Sequence, residues 1–98
     1  PYYVINTTLY TADSTIAMNN SGINENYKII VRDAGNKKIV GTYRPNRHNN
    51  QFSIVLHPGF YIFDLYINDI ENHSFEYIIK DREPLKTQIS LPVYIQNK

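Results

Sequence analysis

FSIVLHPGFYIFDLYI, residues 52–67, is dense enough in apolar side chains to furnish a small core, and its reading decides the fold. A helix through it would meet Pro58, which has no N–H, and then Gly59, a poor helix former. A membrane helix would have to carry Asp64 and would stop short of the roughly 20 apolar residues a bilayer requires. Two strands joined by a turn remain. Pro-Gly at the centre of His57-Pro58-Gly59-Phe60 matches a type II turn, since Pro presets the first φ and Gly accepts a positive second one. On the first strand Phe52, Ile54 and Leu56 alternate with Gln51, Ser53 and Val55. On the second, Tyr61, Phe63, Leu65 and Ile67 alternate with Phe60, Ile62, Asp64 and Tyr66. The pattern predicts a hairpin with Pro58 and Gly59 as its turn and Phe52, Ile54, Leu56, Tyr61, Phe63 and Leu65 in the core.

The remainder of the chain divides in the same manner. Strands are predicted over 3–10, 27–32, 39–43, 74–80 and 87–95, with Tyr27, Ile29 and Val31 facing the core. Between the first two lies TADSTIAMNNSGINEN, residues 11–26, a polar loop with a short irregular element around 16–18. Turns follow at Ala34-Gly35-Asn36-Lys37, at RPNRHNN (44–50), at 68–72 and at 81–84, and Pro92 puts part of the last strand at an edge. Seven short strands separated by turn signals predict an all-β, antiparallel seven-stranded β-sandwich.

Ninety-eight residues are enough for one domain and too few for two. The hydrophobic fraction of 42% argues against disorder. Ten basic residues against nine acidic ones, scattered along the chain, give no concentrated basic face and so no support for a nucleic-acid partner. With no cysteine, disulfides, thiolate metal sites and cysteine nucleophiles are excluded. The chain opens at Pro1 without an initiator Met or a signal peptide, so an excised or processed piece is expected. Its richness in Ile, Asn, Lys and Tyr, residues with A/T-rich codons, hints at an A/T-rich genome.

The segment Ile39-Val-Gly-Thr-Tyr-Arg-Pro-Asn46, followed by Gln51-Phe-Ser-Ile-Val-Leu-His-Pro-Gly59 and Tyr61, resembles the carboxypeptidase regulatory-like domain family. The likeness extends over residues 27–80. It implies a transthyretin-like seven-stranded sandwich with an F-x-I-x-L strand, a P-G turn and a Y-x-L-x-V strand. More narrowly, GTYRPN is similar to the version in OmpA-family envelope proteins of Bacteroidetes, some of them in the type IX secretion apparatus. That likeness implies a periplasmic, outer-membrane-associated setting, with flanking domains and other envelope proteins as partners. Two positions depart from the pattern. Asn50 stands where a glycine is usual before the F-x-I strand, a substitution Asn tolerates because it can enter the left-handed region. No glycine occurs among Asn68, Asp69 and Ile70. Related pilin-type domains form a Lys–Asn isopeptide bond; here the first strand has no Lys and Leu65 occupies the place of the acid, so no such bond is predicted.

Candidate sites are few. His48, His57 and His73 lie in or beside predicted loops at unrelated spacings, which points to exposed turn residues and to no metal site. No G-x-S-x-G elbow occurs, and Asp64 alternates to the outside, where Glu76 is its candidate neighbour for a carboxylate pair; solvated charges are the expectation. No enzyme and no cofactor are predicted. Arg44, Arg47 and His48 form the one local basic cluster, suited to an acidic group on a partner or to simple solvation. Phe60, Ile62 and Tyr66 make an outward apolar set, read either as a contact surface or as ground covered by the 11–26 loop. Asp13-Ser14-Thr15 resembles the O-glycosylation acceptor of Bacteroidetes envelope proteins, with Ser14 as the acceptor residue.

The resulting expectation is a non-catalytic spacer and protein-contact module of a bacterial envelope protein. The alternative is a carbohydrate-binding or adhesive sandwich. A row of aromatic rings on one exposed face would favour the glycan, and an apolar patch or edge without ring alignment would favour protein contact.

Overall fold

A computed structural model describes residues 1–12 and 26–94. Seven strands occur among them: β1 (Tyr3–Thr11), β2 (Tyr27–Asp33), β3 (Ile39–Tyr43), β4 (Phe52–Leu56), β5 (Gly59–Ile67), β6 (Ile70–Ile79) and β7 (Lys86–Val93). They form two sheets, a three-stranded one in the order β4-β1-β7 and a four-stranded one in the order β3-β2-β5-β6. The described chain is all-β. Its pairings are antiparallel except one: β1 runs parallel to β7, so the first sheet is mixed where an antiparallel one was expected. No sequence period reports strand direction, which is fixed by the path of the connections.

The larger departure concerns residues 52–67. β4 and β5 are not a hairpin, because they belong to different sheets. The chain leaves β4 in one layer and enters β5 in the other, so His57 and Pro58 span the sandwich rather than reverse the chain within a sheet. Gly59 has no positive φ, as a type II turn would need, and already pairs with Ile79 as the first residue of β5. Its lack of a side chain serves a close approach instead. A Cβ on Gly59 would lie 3.1 Å from the Tyr61 ring, whose hydroxyl donates to the His57 carbonyl at 2.8 Å and braces the crossing.

The same device recurs one sheet edge away. A Cβ on Gly41 would sit 2.9 Å from the Tyr43 ring, and the Tyr43 hydroxyl donates to the Val55 carbonyl at 3.1 Å. Two Gly-x-Tyr units therefore anchor β3 and β5 to successive outward carbonyls at the end of β4. Burial holds the phenol pKa of both tyrosines above the ordinary value of 10.0; for Tyr61 the nearby Asp33 and Tyr43 add to the rise, and for Tyr43 the bond to Val55 works against it.

Inward residues follow the pleat. Tyr3, Ile5, Thr7 and Leu9 of β1, Ile29 and Val31 of β2, Phe52, Ile54 and Leu56 of β4, Tyr61, Phe63 and Leu65 of β5, and Leu91 and Val93 of β7 are all buried. Phe63 stands at the centre, edge-to-face with Phe75 at 5.4 Å and tilted against Tyr77 at 5.4 Å. Such aromatic pairs contribute about 0.5–1.5 kcal/mol beyond the area they bury.

Turns are set by side chains suited to positive φ. Asn50 has φ 56°, in the left-handed region its glycine-like position requires, and the 44–50 loop closes on itself through Asn46 and Asn49 side-chain acceptors. β5 and β6 are joined by only two residues, Asn68 (φ 53°) and Asp69 (φ 64°), the sign pair of a type I′ hairpin. The turn is tighter than the 68–72 expected, and β6 begins at Ile70. A register shift between Leu65 and Tyr66 follows, and across it the Asn72 side chain pairs with the backbone of Tyr94, donating and accepting at 2.8 Å. Of the other sequence expectations, the element around 16–18, Ser14 and the end of the last strand at Ile95 lie outside the described residues.

Candidate interaction face

Cross-strand register determines which outward side chains of the four-stranded sheet meet. Ile30, Asp64 and Ser74 form one row across β2, β5 and β6, continued by Thr42 on β3. Arg32, Ile62 and Glu76 form the next, with Ile39 of β3 beside Arg32. On one side lie Lys28, Tyr66 and Glu71, and at the far end Phe60 faces Ile78. Asp64's direct neighbour is therefore Ser74, and Glu76 lies one row away opposite Ile62. The expected carboxylate pair is not the arrangement found.

Asp64 points outward yet is only 5% exposed, where a solvated charge was expected. Its neighbours explain this. Arg32 Nε donates to Oδ2 at 3.2 Å, Ser74 Oγ donates to Oδ1 at 2.6 Å, and Ile62 and Tyr66 flank it on the same face of β5. Both carboxylate oxygens are thus bonded, which offsets the cost of removing the charge from water. Arg32 also donates to the Lys37 carbonyl at 3.3 Å, tying the pair to the β2–β3 turn. Asp64 binds Ser74 and Arg32 directly with no imidazole between them, so the cluster fixes a charge in place and lacks the relay a serine nucleophile needs.

At one end the face becomes polar. Lys28 bridges to Asp69 at 2.9 Å and lies 5.7 Å from the Tyr66 ring centroid. The hydrogen bond and charge of Lys28, with a smaller contribution from Arg44, lower the Asp69 carboxyl below its ordinary 3.8. Asn26, Arg44, Asn68 and Asp69 line a shallow depression of about 380 Å³ there. Arg44 thus joins the end of the face that carries Tyr66, while Arg47 and His48 are exposed on the 44–50 loop. The sequence cluster of three is divided.

At the other end the face is apolar. Phe60 is 45% exposed and Ile78 49%, with Ile39 and Val40 comparably open on β3. Ile62 and Tyr66 are half-buried. Phe60 and Tyr66 are separated along β5 by Ile62 and Asp64, so the rings form no continuous row. Whether residues 13–25 approach Phe60, Ile62 and Tyr66 lies outside the described residues.

The histidines are dispersed. His57 stacks on Tyr2 at 4.0 Å, and His48 stays on its loop. His73, expected in a turn, lies within β6 and packs against Phe75 and Tyr94, because β6 starts earlier than its apolar pattern shows. Among the described residues no three His, Asp or Glu side chains gather as a metal site, and no helix is long and apolar enough to cross a membrane. Comparison of the chain with family models finds no match, and comparison with curated proteins finds none.

Proposed function

We propose that this chain is a non-catalytic spacer and protein-contact module, of the transthyretin-like carboxypeptidase regulatory-like kind, from a periplasmic, OmpA-like bacterial envelope protein. The observation that carries the contact role is the outer face of the four-stranded sheet. Open apolar side chains at Phe60, Ile78 and Ile39 adjoin a fixed Arg32–Asp64–Ser74 cluster, and the rings are not aligned. Apolar surface beside pre-positioned polar groups suits a protein partner, whereas sugar stacking needs rings presented together. The spacer role draws on the Gly-x-Tyr braces, which hold the two sheets to one another at β4. The envelope setting rests on the resemblance of GTYRPN and the F-x-I-x-L, P-G, Y-x-L segment, and flanking domains and type IX secretion components are the partners it suggests.

The test is capture by the immobilised chain from a detergent-solubilised envelope extract of the source bacterium, with a glycan array in parallel. Retention of a reproducible envelope protein is expected. Glycan binding with no retained protein would replace this reading with the carbohydrate-binding one.

A further inference from the structure

The outer face of the four-stranded sheet is asymmetric in two directions. Across the strands, the β2–β3 half carries Lys28, Arg32 and Arg44, and the β5–β6 half carries Asp64, Glu71 and Glu76. Lys28 and Arg32 are bonded within the chain, to Asp69 and Asp64, whereas Glu71 and Glu76 are exposed and make no ion pair among the described residues. Along the strands, one end is apolar, with Phe60, Ile62, Ile78 and Ile39. The other end is polar, with Lys28, Tyr66 and Glu71.

We infer that this face packs on the same face of a second copy of the chain, about a two-fold axis that lies in the interface and runs along the strands between β2 and β5. Both asymmetries select that axis. It keeps like ends together and exchanges the halves, so apolar end meets apolar end while the acidic half of each copy covers the basic half of the other. An axis running across the strands would do the reverse, setting Glu71 and Glu76 over the same carboxylates of the other copy and Phe60 over the polar end. Under the selected axis Phe60 and Ile62 meet their counterparts, and Glu71 lies over Arg44 of the other copy. The Arg32–Asp64–Ser74 cluster beside the axis already has its charges bonded, so covering it costs less than burying free ions.

The size of the face fits a weak pairing. Four strands about 4.8 Å apart and roughly 25 Å long present about 500 Å² per copy, or about 1,000 Å² for the pair, the low end for a specific interface. Because both copies present the same surface, the pairing closes and does not propagate. The inference rests on the contact-module reading and names the partner on that face.

Sedimentation equilibrium of the whole 98-residue chain tests it. A reversible dimer is expected, loosened by added salt. Glu71→Arg and Arg44→Glu should each weaken association about tenfold, and the two together in one chain should restore it. Within a chain these residues stand on opposite margins of the sheet, three strand spacings or about 14 Å apart, so rescue reports a contact between copies. Both are exposed, and a thermal melt of each variant at dilute concentration checks that it folds. A chain that stays monomeric at about 1 mM, a dimer indifferent to the single reversals, or one that the double reversal does not restore overturns the inference. A monomer that still retains envelope proteins would do so while leaving the contact-module reading intact.

Discussion

On the outer face of the three-stranded sheet, Ser53 donates to Asn6 at 3.2 Å and Thr8 shares a 3.0 Å hydrogen bond with Ser90, all short side chains whose exposed polar groups satisfy one another. Across the molecule, the outer face of the four-stranded sheet buries a carboxylate beneath an arginine and a serine and leaves Phe60 and Ile78 open. The same pleat and the same kind of strand underlie both. What differs is the side chain at each outward position. The three-stranded face also opens Val55, paired with Val4, but buries no charge among the described residues; the four-stranded face sets a fixed charge cluster beside its open apolar side chains and so presents both a driving force and an orientation.

The largest expected effect breaks the support common to both faces. Phe63→Ala removes a fully buried ring and should cost about 3–5 kcal/mol, read by denaturant unfolding. An unchanged midpoint would place Phe63 outside the core.

Asp64→Ala deletes the acceptor of two hydrogen bonds, one of them charged, and should cost about 1–3 kcal/mol, the lower end applying because Arg32 can turn to water. Thr8→Ala on the other face should cost no more than about 0.5 kcal/mol. Equal losses would mean that the two faces are not energetically distinct.

A smaller effect concerns the crossing between the sheets. Tyr61→Phe loses the bond to the His57 carbonyl, about 0.5–1.5 kcal/mol at neutral pH. The raised phenol pKa values of Tyr61 and Tyr43 mean that the unfolded chain gives up these protons first. Their contribution is complete below 10.0 and is lost as pH rises through the folded values. Thermal melts in alkali should therefore fall above about pH 10, and less steeply in Tyr61→Phe. Parallel slopes would remove Tyr61 as a source of that loss.

The smallest effect lies at the polar end. The Asp69 carboxyl is held below 3.8 by Lys28, so its bridge contributes above the unfolded pKa and is lost as pH falls through the lower folded value. Asp69→Asn should lower the melting temperature slightly at pH 7 and not at all once pH lies below the folded value. A difference that persists in strong acid would assign the effect to the tight turn instead.

Much of this architecture is legible in the chain. Alternation in FSIVL and YIFDLYI identifies the inward residues one by one, since a period of two needs no knowledge of the partner strand. Asn50 at a positive φ is likewise readable from its chemistry. The fate of Pro58-Gly59 is not, because a hairpin turn and a crossing between sheets ask for similar residues and differ only in which strands receive the flanking segments. For the same reason Asp64 reads as a solvated charge. Its burial depends on β2 and β6 lying either side of β5, which brings in Arg32 and Ser74 from distances of 32 and 10 residues. The short β5–β6 turn is hidden for a different reason: Asn68-Asp69 lacks the glycine that usually marks a type I′ hairpin.

Partner contact is proposed to run through the outer face of the four-stranded sheet. Its most direct test is envelope capture by three immobilised chains: the natural one, one carrying Phe60→Ser and Ile39→Ser on that face, and one carrying Asn6→Ala and Ser90→Ala on the other. The first and third should retain the same envelope protein, and the second should lose it. Retention by the second with loss by the third would contradict it.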